Sequence, residues 1–558
     1  MADFDSYPLS RPLSRFFVFF GLLFIAGLAL LPAMIWGPSM GHSLGNNLVW
    51  LSSFDAGIWR GEIYPRWLPE LWFGAGAPDF FFYGPLPFWI SSTVGRAMCW
   101  QCDVPSLLNV GTLIVLAASG FGYYLFASRL LAHDKASIAA GLYMILPYHL
   151  MVDLGVRQAF GELTAFAAFP FICYFLIGLF RSDRGNGTGL AVSVAALILS
   201  HLPSVIICAF VLGPITLAYG FAKSKTRSEA VHFLSYAAAF AVFGLGLSAL
   251  YWLPAFVLLP DVASHTLWQA AFNWSNWLFF DGLAEPNPPM TMLLKVWLVA
   301  ITALMLVFVK RLWENRDIAL WCLLPLLVAW IFMTPLSWPL WKVLPFLQAI
   351  QFPWRFMMVA EFGLPLAIAF LLPKLRMISL VGTLAIMSLL SGFAGYQLGN
   401  IMGLSRQSVA ENITDHLSAW EYLPKTAFDP IMRLTGGSRD AARSDWASNP
   451  SEISQTGMTM LSSRHWVADV DVDAPTQFVF RQFYWKLWAA HSEVTGQEIK
   501  LSAEPKFGLI TFDVPAGKSK IKLDLEMDWS EKFGLALSFF SGSILVLIGL
   551  WRLRRREQ

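Results

Sequence analysis

Between Ser53 and Ile90 the chain reads SFDAGIWRGEIYPRWLPELWFGAGAPDFFFYGPLPFWI. Charged side chains recur through it (Asp55, Arg60, Glu62, Arg66, Glu70, Asp79), and prolines stand at 65, 69, 78, 85 and 87. An ionised group costs roughly 3 kcal/mol at the centre of a spanning helix, and each proline removes a backbone donor. This stretch therefore cannot cross a bilayer. Yet it follows closely on the apolar run 16–36, which is long enough to span one. A long first loop on one membrane face, ahead of a bundle of spans, predicts a surface built to meet a lipid-borne substrate. Trp59, Trp67, Trp72, Tyr83 and Trp89 are expected at the membrane–water boundary, where amphipathic rings settle.

Outward from that loop, composition sets the class. Of 558 residues 56% are hydrophobic and 14% charged, against about half and a quarter in soluble domains. The chain is expected to be an integral membrane protein. A net charge of +2 gives no reason to expect nucleic acid as a partner. Arg11 and Arg15 precede the first apolar run, but that run is too long for a signal peptide and no small-x-small site follows it. It is read as a retained helix.

Apolar runs predict about twelve spans, near 16–36, 105–127, 136–152, 163–180, 187–200, 204–221, 231–254, 291–309, 318–334, 356–372, 377–396 and 532–551. The fifth and sixth are short, and predict a bent pair or re-entrant hairpin around Ser200-His201-Leu202-Pro203. Arg11/Arg15, Arg129/Lys135, Arg181/Arg184, Lys223/Lys225/Arg227, Lys310/Arg311, Lys374/Arg376 and Arg552/Arg554/Arg555/Arg556 all fall on one side of this map. The positive-inside rule makes that side cytoplasmic, with both termini. The large loops then face outward. Residues 1–396 form the spanning domain, with its first outer loop at 37–104. Residues 397–531 form a polar outer domain, and 532–558 the last span and a basic tail. Alternation over 466–472, 478–480, 509–514 and 521–525, with the turn Pro515-Ala516-Gly517, predicts antiparallel strands. The expected fold is an all-α polytopic membrane bundle with a C-terminal extracytoplasmic antiparallel β-sandwich, located in a bacterial inner membrane.

Cys173, Cys208 and Cys322 lie in apolar runs and read as core residues. Cys99 and Cys102 form a C-x-x-C on the outer side, where a disulfide is plausible and a zinc site would lack two ligands. Ionisable residues collect at the outward helix ends: His42, Asp55, Glu62 and Arg66 after the first span; His149, Asp153, Arg157 and Glu162 between the third and fourth; His201 in the bend. Asp261, His265, Asp281 and Glu285 line a tryptophan-rich loop, and Lys342 and Arg355 precede the tenth span. Carboxylates there could take a proton from an acceptor hydroxyl while arginines hold a phosphate. No Walker loop, dinucleotide fingerprint, G-x-S-x-G or H-E-x-x-H is present.

Several blocks carry a resemblance. Gly61-Glu62-Ile63-Tyr64-Pro65-Arg66-Trp67, Gly74-x-Gly76-x-Pro78 and Phe82-Tyr83-Gly84-Pro85-Leu86-Pro87 are the first of them, and Arg157-Gln158-Ala159-Phe160-Gly161-Glu162 is a further one. Ser200-His201-Leu202-Pro203, Tyr251-Trp252-Leu253-Pro254-Ala255 and Gln351-Phe352-Pro353-Trp354-Arg355 extend the set, with Phe483-Tyr484-Trp485 and Val514-Pro515-Ala516-Gly517 in the outer domain. Together they resemble a bacterial membrane family labelled 6-pyruvoyl-tetrahydropterin-synthase-related, akin to YfhO-type proteins. No zinc-ligand histidine set supports pterin chemistry. The resemblance implies the C-type (GT-C) glycosyltransferase architecture, in which a sugar passes from a polyprenyl-phosphate carrier to an acceptor on the outer face.

That family's catalytic acid lies shortly after the first span, where Gly-His-Asp is expected and this sequence has Gly41-His42-Ser43. Asp55, Glu62 or Glu162, assisted by His42, then stand as catalytic candidates. Arg66, Arg157, Arg355 and His201 are candidates for the donor phosphate. Trp67, Tyr83 and Trp354 are candidates for the sugar or acceptor. No cofactor is required by any motif, and a divalent metal ion stays open. Expected partners are membrane lipids, a polyprenyl-phosphate sugar, and a glycan or lipid acceptor. The rival readings are a non-catalytic glycan-binding assembly partner and a lipid or polysaccharide transporter.

Overall fold

The computed structural model describes residues 12–181, 185–268, 272–281, 288–373, 377–436 and 458–557. Arg11, Arg184, Glu285, Lys374 and Arg376 lie outside the described residues. Eleven described helices are long and apolar enough to cross a membrane. They match eleven of the expected runs; the remaining one, Asn186–Ser200, forms a helix of 15 residues. It meets Leu202–Lys223 at His201, whose extended backbone (φ −161°, ψ 106°) breaks the helix before Pro203. The expected bent pair is therefore two helices joined at one residue.

The third span changes character part-way. Helix His133–Met144 stops ahead of Pro147, which has no N–H to donate, and a wider π-helical stretch Pro147–Arg157 follows. Two of the new stretch's first N–H groups would be orphans in a dry interior. Glu361, buried in the span Pro353–Leu371, accepts both: Tyr148 N at 3.2 Å and His149 N at 2.9 Å. The stretch ends at Gln158 in the left-handed region (φ 52°, ψ 41°), which turns the chain into helix Phe160–Phe180.

A stripe of glycines on helix Met377–Met402 seats this stretch. A Cβ added at Gly399 would stand 2.1 Å from the Gly155 carbonyl oxygen, and one at Gly392 would stand 2.0 Å from that of Ala29. Backbone thus meets backbone on both the first span and the Arg157-bearing stretch, the close approach that small residues permit between membrane helices. Overpacking a tight core costs about 1–3 kcal/mol, and here the neighbour is main chain that cannot rotate away. Gly399→Val is expected to reach the upper end of that range, read as a lower unfolding temperature in detergent. An unchanged unfolding temperature would show that the helices are not this close.

Eight strands follow: β1 Met458–Ser462, β2 His465–Val472, β3 Thr476–Phe483, β4 Trp488–Ser492, β5 Glu498–Ile499, β6 Ser502–Ala503, β7 Leu509–Val514 and β8 Gly517–Leu525. They form an antiparallel five-stranded sheet, β1-β2-β8-β4-β5, and an antiparallel three-stranded sheet, β3-β7-β6. Phe480 of the smaller sheet meets Trp466 and Trp488 of the larger edge to face, so the two pack as a sandwich. Period-two burial along β8 turns Ile521, Leu523 and Leu525 inward. Helix Trp529–Glu557 then returns to the bundle.

The sandwich sits on the long first loop. Trp67 Nε1 donates to Gln482 Oε1 at 2.6 Å, and the Trp67 ring packs on Trp485 and Trp488. Glu62 accepts from the Ser463 N–H and hydroxyl. Trp67 is therefore buried at the loop–sandwich junction (0% exposed), and Trp72 is buried against Ser418 and Trp420 (2% exposed), which corrects the expectation that they lie at the membrane boundary. The Trp67 ring fills a space that the folded sandwich closes. Trp59 is exposed.

Candidate functional site

The convergence of charge lies where several span ends meet, at the end of the bundle that carries the sandwich. Arg157, closing the π-helical stretch, places Nη1 2.6 Å from Asp153 Oδ1 and 2.7 Å from Glu162 Oε2. Arg355, on the 3-10 turn Pro353–Phe356, reaches the same Glu162 oxygen with Nε at 3.3 Å. Its Nη1 donates to the Ile350 carbonyl at 2.7 Å. The Tyr148 hydroxyl donates to Glu162 Oε1 at 2.5 Å. Trp354 lies with its ring 4.6 Å from the Arg157 guanidinium carbon. The two carboxylate side chains are wholly buried, and the two arginine side chains are nine-tenths buried beside them.

The two carboxylates are not equivalent. Both Glu162 oxygens are engaged by cations or a hydroxyl. Asp153 commits Oδ1 to Arg157 and, among the described residues, leaves Oδ2 buried without a partner. A buried acceptor without a partner costs about 1–3 kcal/mol, so Oδ2 stands ready to take a proton or a hydroxyl hydrogen. Sequence reasoning placed Asp153 in this turn without assigning it a role. The signal was the i, i+4 spacing to Arg157, which brings the two together on one helix face.

Tyr83, from the first loop, borders the cluster. An added Cβ at Gly161 would stand 3.2 Å from its hydroxyl oxygen, and one at Gly84 would stand 2.2 Å from the Ser200 carbonyl oxygen. Only glycine at these two places lets the loop settle onto the helix ends. Burial pushes the Tyr83 hydroxyl up to about 12, so it remains a donor. His201 lies beside Glu162, and its Nδ1 hydrogen-bonds with Ser204 Oγ at 2.8 Å. His42 is held by neighbouring backbone: its N–H donates to the Val156 carbonyl at 3.0 Å, and its Nε2 lies 3.0 Å from the Met402 carbonyl. Burial, with the Arg157 charge, lowers the imidazole below its usual range against the opposing Met402 carbonyl. The Ser43 N–H donates to the Arg157 carbonyl at 2.9 Å, which sets the Gly41-His42-Ser43 turn directly on the Arg157 turn.

The remaining candidates lie apart and are engaged in holding the fold. Asp55 pairs with Arg96 at 2.5 Å, and Arg96 also donates to the Cys102 carbonyl inside the Cys99–Cys102 disulfide loop. The open choice for that cysteine pair is thereby resolved in favour of a disulfide. Arg66 pairs with Glu531 at 3.4 Å, and its Nη2 donates to the Leu250 carbonyl at 2.7 Å; Arg464 of the sandwich shares the same Glu531. Glu62, paired also with Arg60 at 3.5 Å, and Trp67 belong to the loop–sandwich junction described above. Among the described residues no three His, Cys, Asp or Glu side chains gather to hold a metal ion.

One further buried carboxyl borders the loop. Asp79 is wholly buried and accepts from Trp50 Nε1 at 2.8 Å and Ser418 Oγ at 2.7 Å. Burial pushes it up to about 7 from an ordinary 3.8. Because the folded state holds the proton more tightly, stability is fullest below about pH 4 and falls as pH rises toward 7. Three pKa units correspond to about 4 kcal/mol. Asp79→Asn is expected to flatten that fall, measured as the pH dependence of the unfolding temperature beside the wild type. Parallel pH profiles would contradict it.

No protein-family model matches the chain, and no curated protein matches it. Among solved structures, it is similar to an oligosaccharyltransferase from Archaeoglobus fulgidus at 15% identity and a TM-score of 0.37, over 78% of this chain and 60% of that one. It is similar to the mycobacterial arabinofuranosyltransferase AftD at 16% identity and a TM-score of 0.41, over 75% and 29%. It is also similar to ArnT from Cupriavidus metallidurans, solved bound to undecaprenyl phosphate, at 10% identity and a TM-score of 0.36, over 90% and 97%. The chain thus spans about 60% of the length of the archaeal enzymes it matches. Likenesses this distant assign neither family nor activity.

Proposed function

We propose that this chain is a membrane glycosyltransferase of the C type. It would take a sugar from a polyprenyl-phosphate carrier and pass it to a hydroxyl of an envelope glycan or lipid. The observation that carries the reading is the cluster itself: two guanidiniums converge on Glu162, and beside them Asp153 keeps a carboxylate oxygen without a partner among the described residues. Guanidinium forks suit a phosphate leaving group, and a desolvated site strengthens their hold on charge as it develops. Topology follows the basic segment ends: both termini cytoplasmic and the sandwich outside, in a bacterial inner membrane.

In this scheme the acceptor hydroxyl attacks the anomeric carbon from the face opposite the phosphate. The new C–O bond forms as the bond to the phosphate oxygen breaks, which inverts the anomeric configuration. The hydroxyl proton passes to Asp153 Oδ2. The bonding pair leaves with the polyprenyl phosphate, whose added charge Arg157 and Arg355 hold. Glu162 fixes both arginines, so it is a positioning residue here, with Tyr148 fixing Glu162 in turn. Trp354 and Tyr83 supply ring surface and a hydroxyl beside the sugar.

The non-catalytic glycan-binding reading has one observation in its favour: Ser43 stands where the resembled enzymes carry their acid, directly on the Arg157 turn. Transfer from radiolabelled polyprenyl-phosphate sugars by the purified protein in lipid vesicles separates the two. The enzymatic reading expects transfer by the wild type and by Asp55→Asn, and transfer slowed by about 10²–10⁴-fold in Asp153→Asn. Absence of transfer from every donor, with donor binding intact, would move the assignment to the binding partner.

A further inference from the structure

A second concave surface opens beside the cluster and takes no part in the chemistry above. A cavity of about 570 Å³ lies between the sandwich-side ends of helices Pro12–Trp36 and Met377–Met402. It falls within the ordinary size of a small-ligand site, which runs from roughly 300 to 1,000 Å³. Trp36 and Tyr396 form one wall with ring centroids 5.8 Å apart. Gln397, Asn400 and Arg406 supply polar groups, and no acidic residue lines it. Among the described residues Gln397 and Arg406 make no side-chain hydrogen bond or ion pair. Asn400 uses only its oxygen, which accepts from the Met40 N–H at 3.2 Å.

This combination differs from a lipid-acyl groove, which would be apolar throughout. Ring faces beside free side-chain amides suit a saccharide, whose C–H faces pack on aromatics and whose hydroxyls bond to amides. A single unpaired guanidinium adds a place for an anionic substituent. The wall of the cavity includes Met40. Two and three residues on, His42 and Ser43 bond to the Val156 and Arg157 carbonyls. One short segment therefore lines the groove and buttresses the reactive cluster.

We infer that this groove is the docking subsite for the acceptor, and that the acceptor is an oligosaccharide chain bearing carboxylate groups, one of which pairs with Arg406. The inference rests on the glycosyltransferase reading for the word acceptor, but saccharide binding itself is measured without any donor. The groove orders the chain along the Met40–Ser43 segment so that its growing end points toward Asp153.

The test is equilibrium binding of tetragalacturonate and of neutral chitotetraose to the full-length protein in nanodiscs. Tetragalacturonate is expected to bind saturably. Arg406→Gln and Trp36→Ala are each expected to weaken it about tenfold, equivalent to about 1.4 kcal/mol, and Trp36→Phe to retain it. Chitotetraose is expected to bind more weakly and to be indifferent to Arg406→Gln. No saturable tetragalacturonate binding, or binding unmoved by both Arg406→Gln and Trp36→Ala, overturns the inference. Equal affinity for chitotetraose overturns the role of Arg406. Saccharide binding without sugar transfer would leave this subsite standing and remove the enzymatic reading; transfer without saccharide binding would do the reverse.

Discussion

Asp153→Asn is expected to lower sugar transfer by about 10²–10⁴-fold, the contribution of a positioned proton acceptor, while donor affinity changes little. The amide keeps an oxygen to accept from Arg157 Nη1, now at 2.6 Å, so the arginine should stay in place. What disappears is the basicity of Oδ2. Single-turnover transfer measured beside donor binding separates the two effects. A variant with wild-type turnover would remove Asp153 from the chemistry and return Glu162 to consideration. Glu162→Gln gives a different signature. It frees both arginines from a shared partner, so donor affinity and turnover should fall together, in keeping with a positioning role.

Arg157→Gln carries the largest expected cost in stability. Asp153 and Glu162 are wholly buried, and Arg157 is within 2.7 Å of both. Removing the shared cation leaves two buried carboxyl groups with Arg355 alone to answer them. Breaking a buried ion pair from one side costs about 3–5 kcal/mol. Arg157→Lys is expected to recover only part of that, because an ammonium cannot present a planar fork to two carboxylates while packing on the Trp354 face. The measurement is the unfolding temperature in detergent for the three proteins. Melting of Arg157→Gln together with the wild type would contradict the account of the cluster.

Much of the architecture was readable because its physics is local. An apolar run long enough to span hydrocarbon declares itself within twenty or so residues, and so did the alternating strands at 466–472 and 509–514. The break at His201 was visible from the proline two residues on. Packing between distant segments was not. Gly392 and Gly399 read as ordinary members of an apolar helix, and only their neighbours Ala29 and Gly155 reveal why no side chain fits there. The change to a π-helical stretch at Pro147 depends on Glu361, more than two hundred residues away, accepting its first N–H groups.

The site divides along the same line. Arg157 and Glu162 are five residues apart, and Arg355 joins them only through the fold. Trp67 looked like a boundary residue because its ring is amphipathic and its loop polar. Its burial follows from Gln482 and Trp485, which belong to a sandwich that no local pattern connects to it. Asp153 and Glu162 were equally visible as carboxylates. Which oxygen stays free is a matter of where two guanidiniums and one tyrosine reach, and sequence spacing does not contain it.

The most direct test of the central claim, that Arg157 and Arg355 hold a lipid-borne phosphate, is binding of undecaprenyl phosphate to the purified protein in nanodiscs. The comparison is wild type, Arg355→Gln and Arg60→Gln, the last lying outside the cluster and pairing with Glu70. The account predicts saturable binding by the wild type and Arg60→Gln, weakened at least about tenfold in Arg355→Gln, the scale of one charge-assisted contact. Equal binding by all three would contradict it.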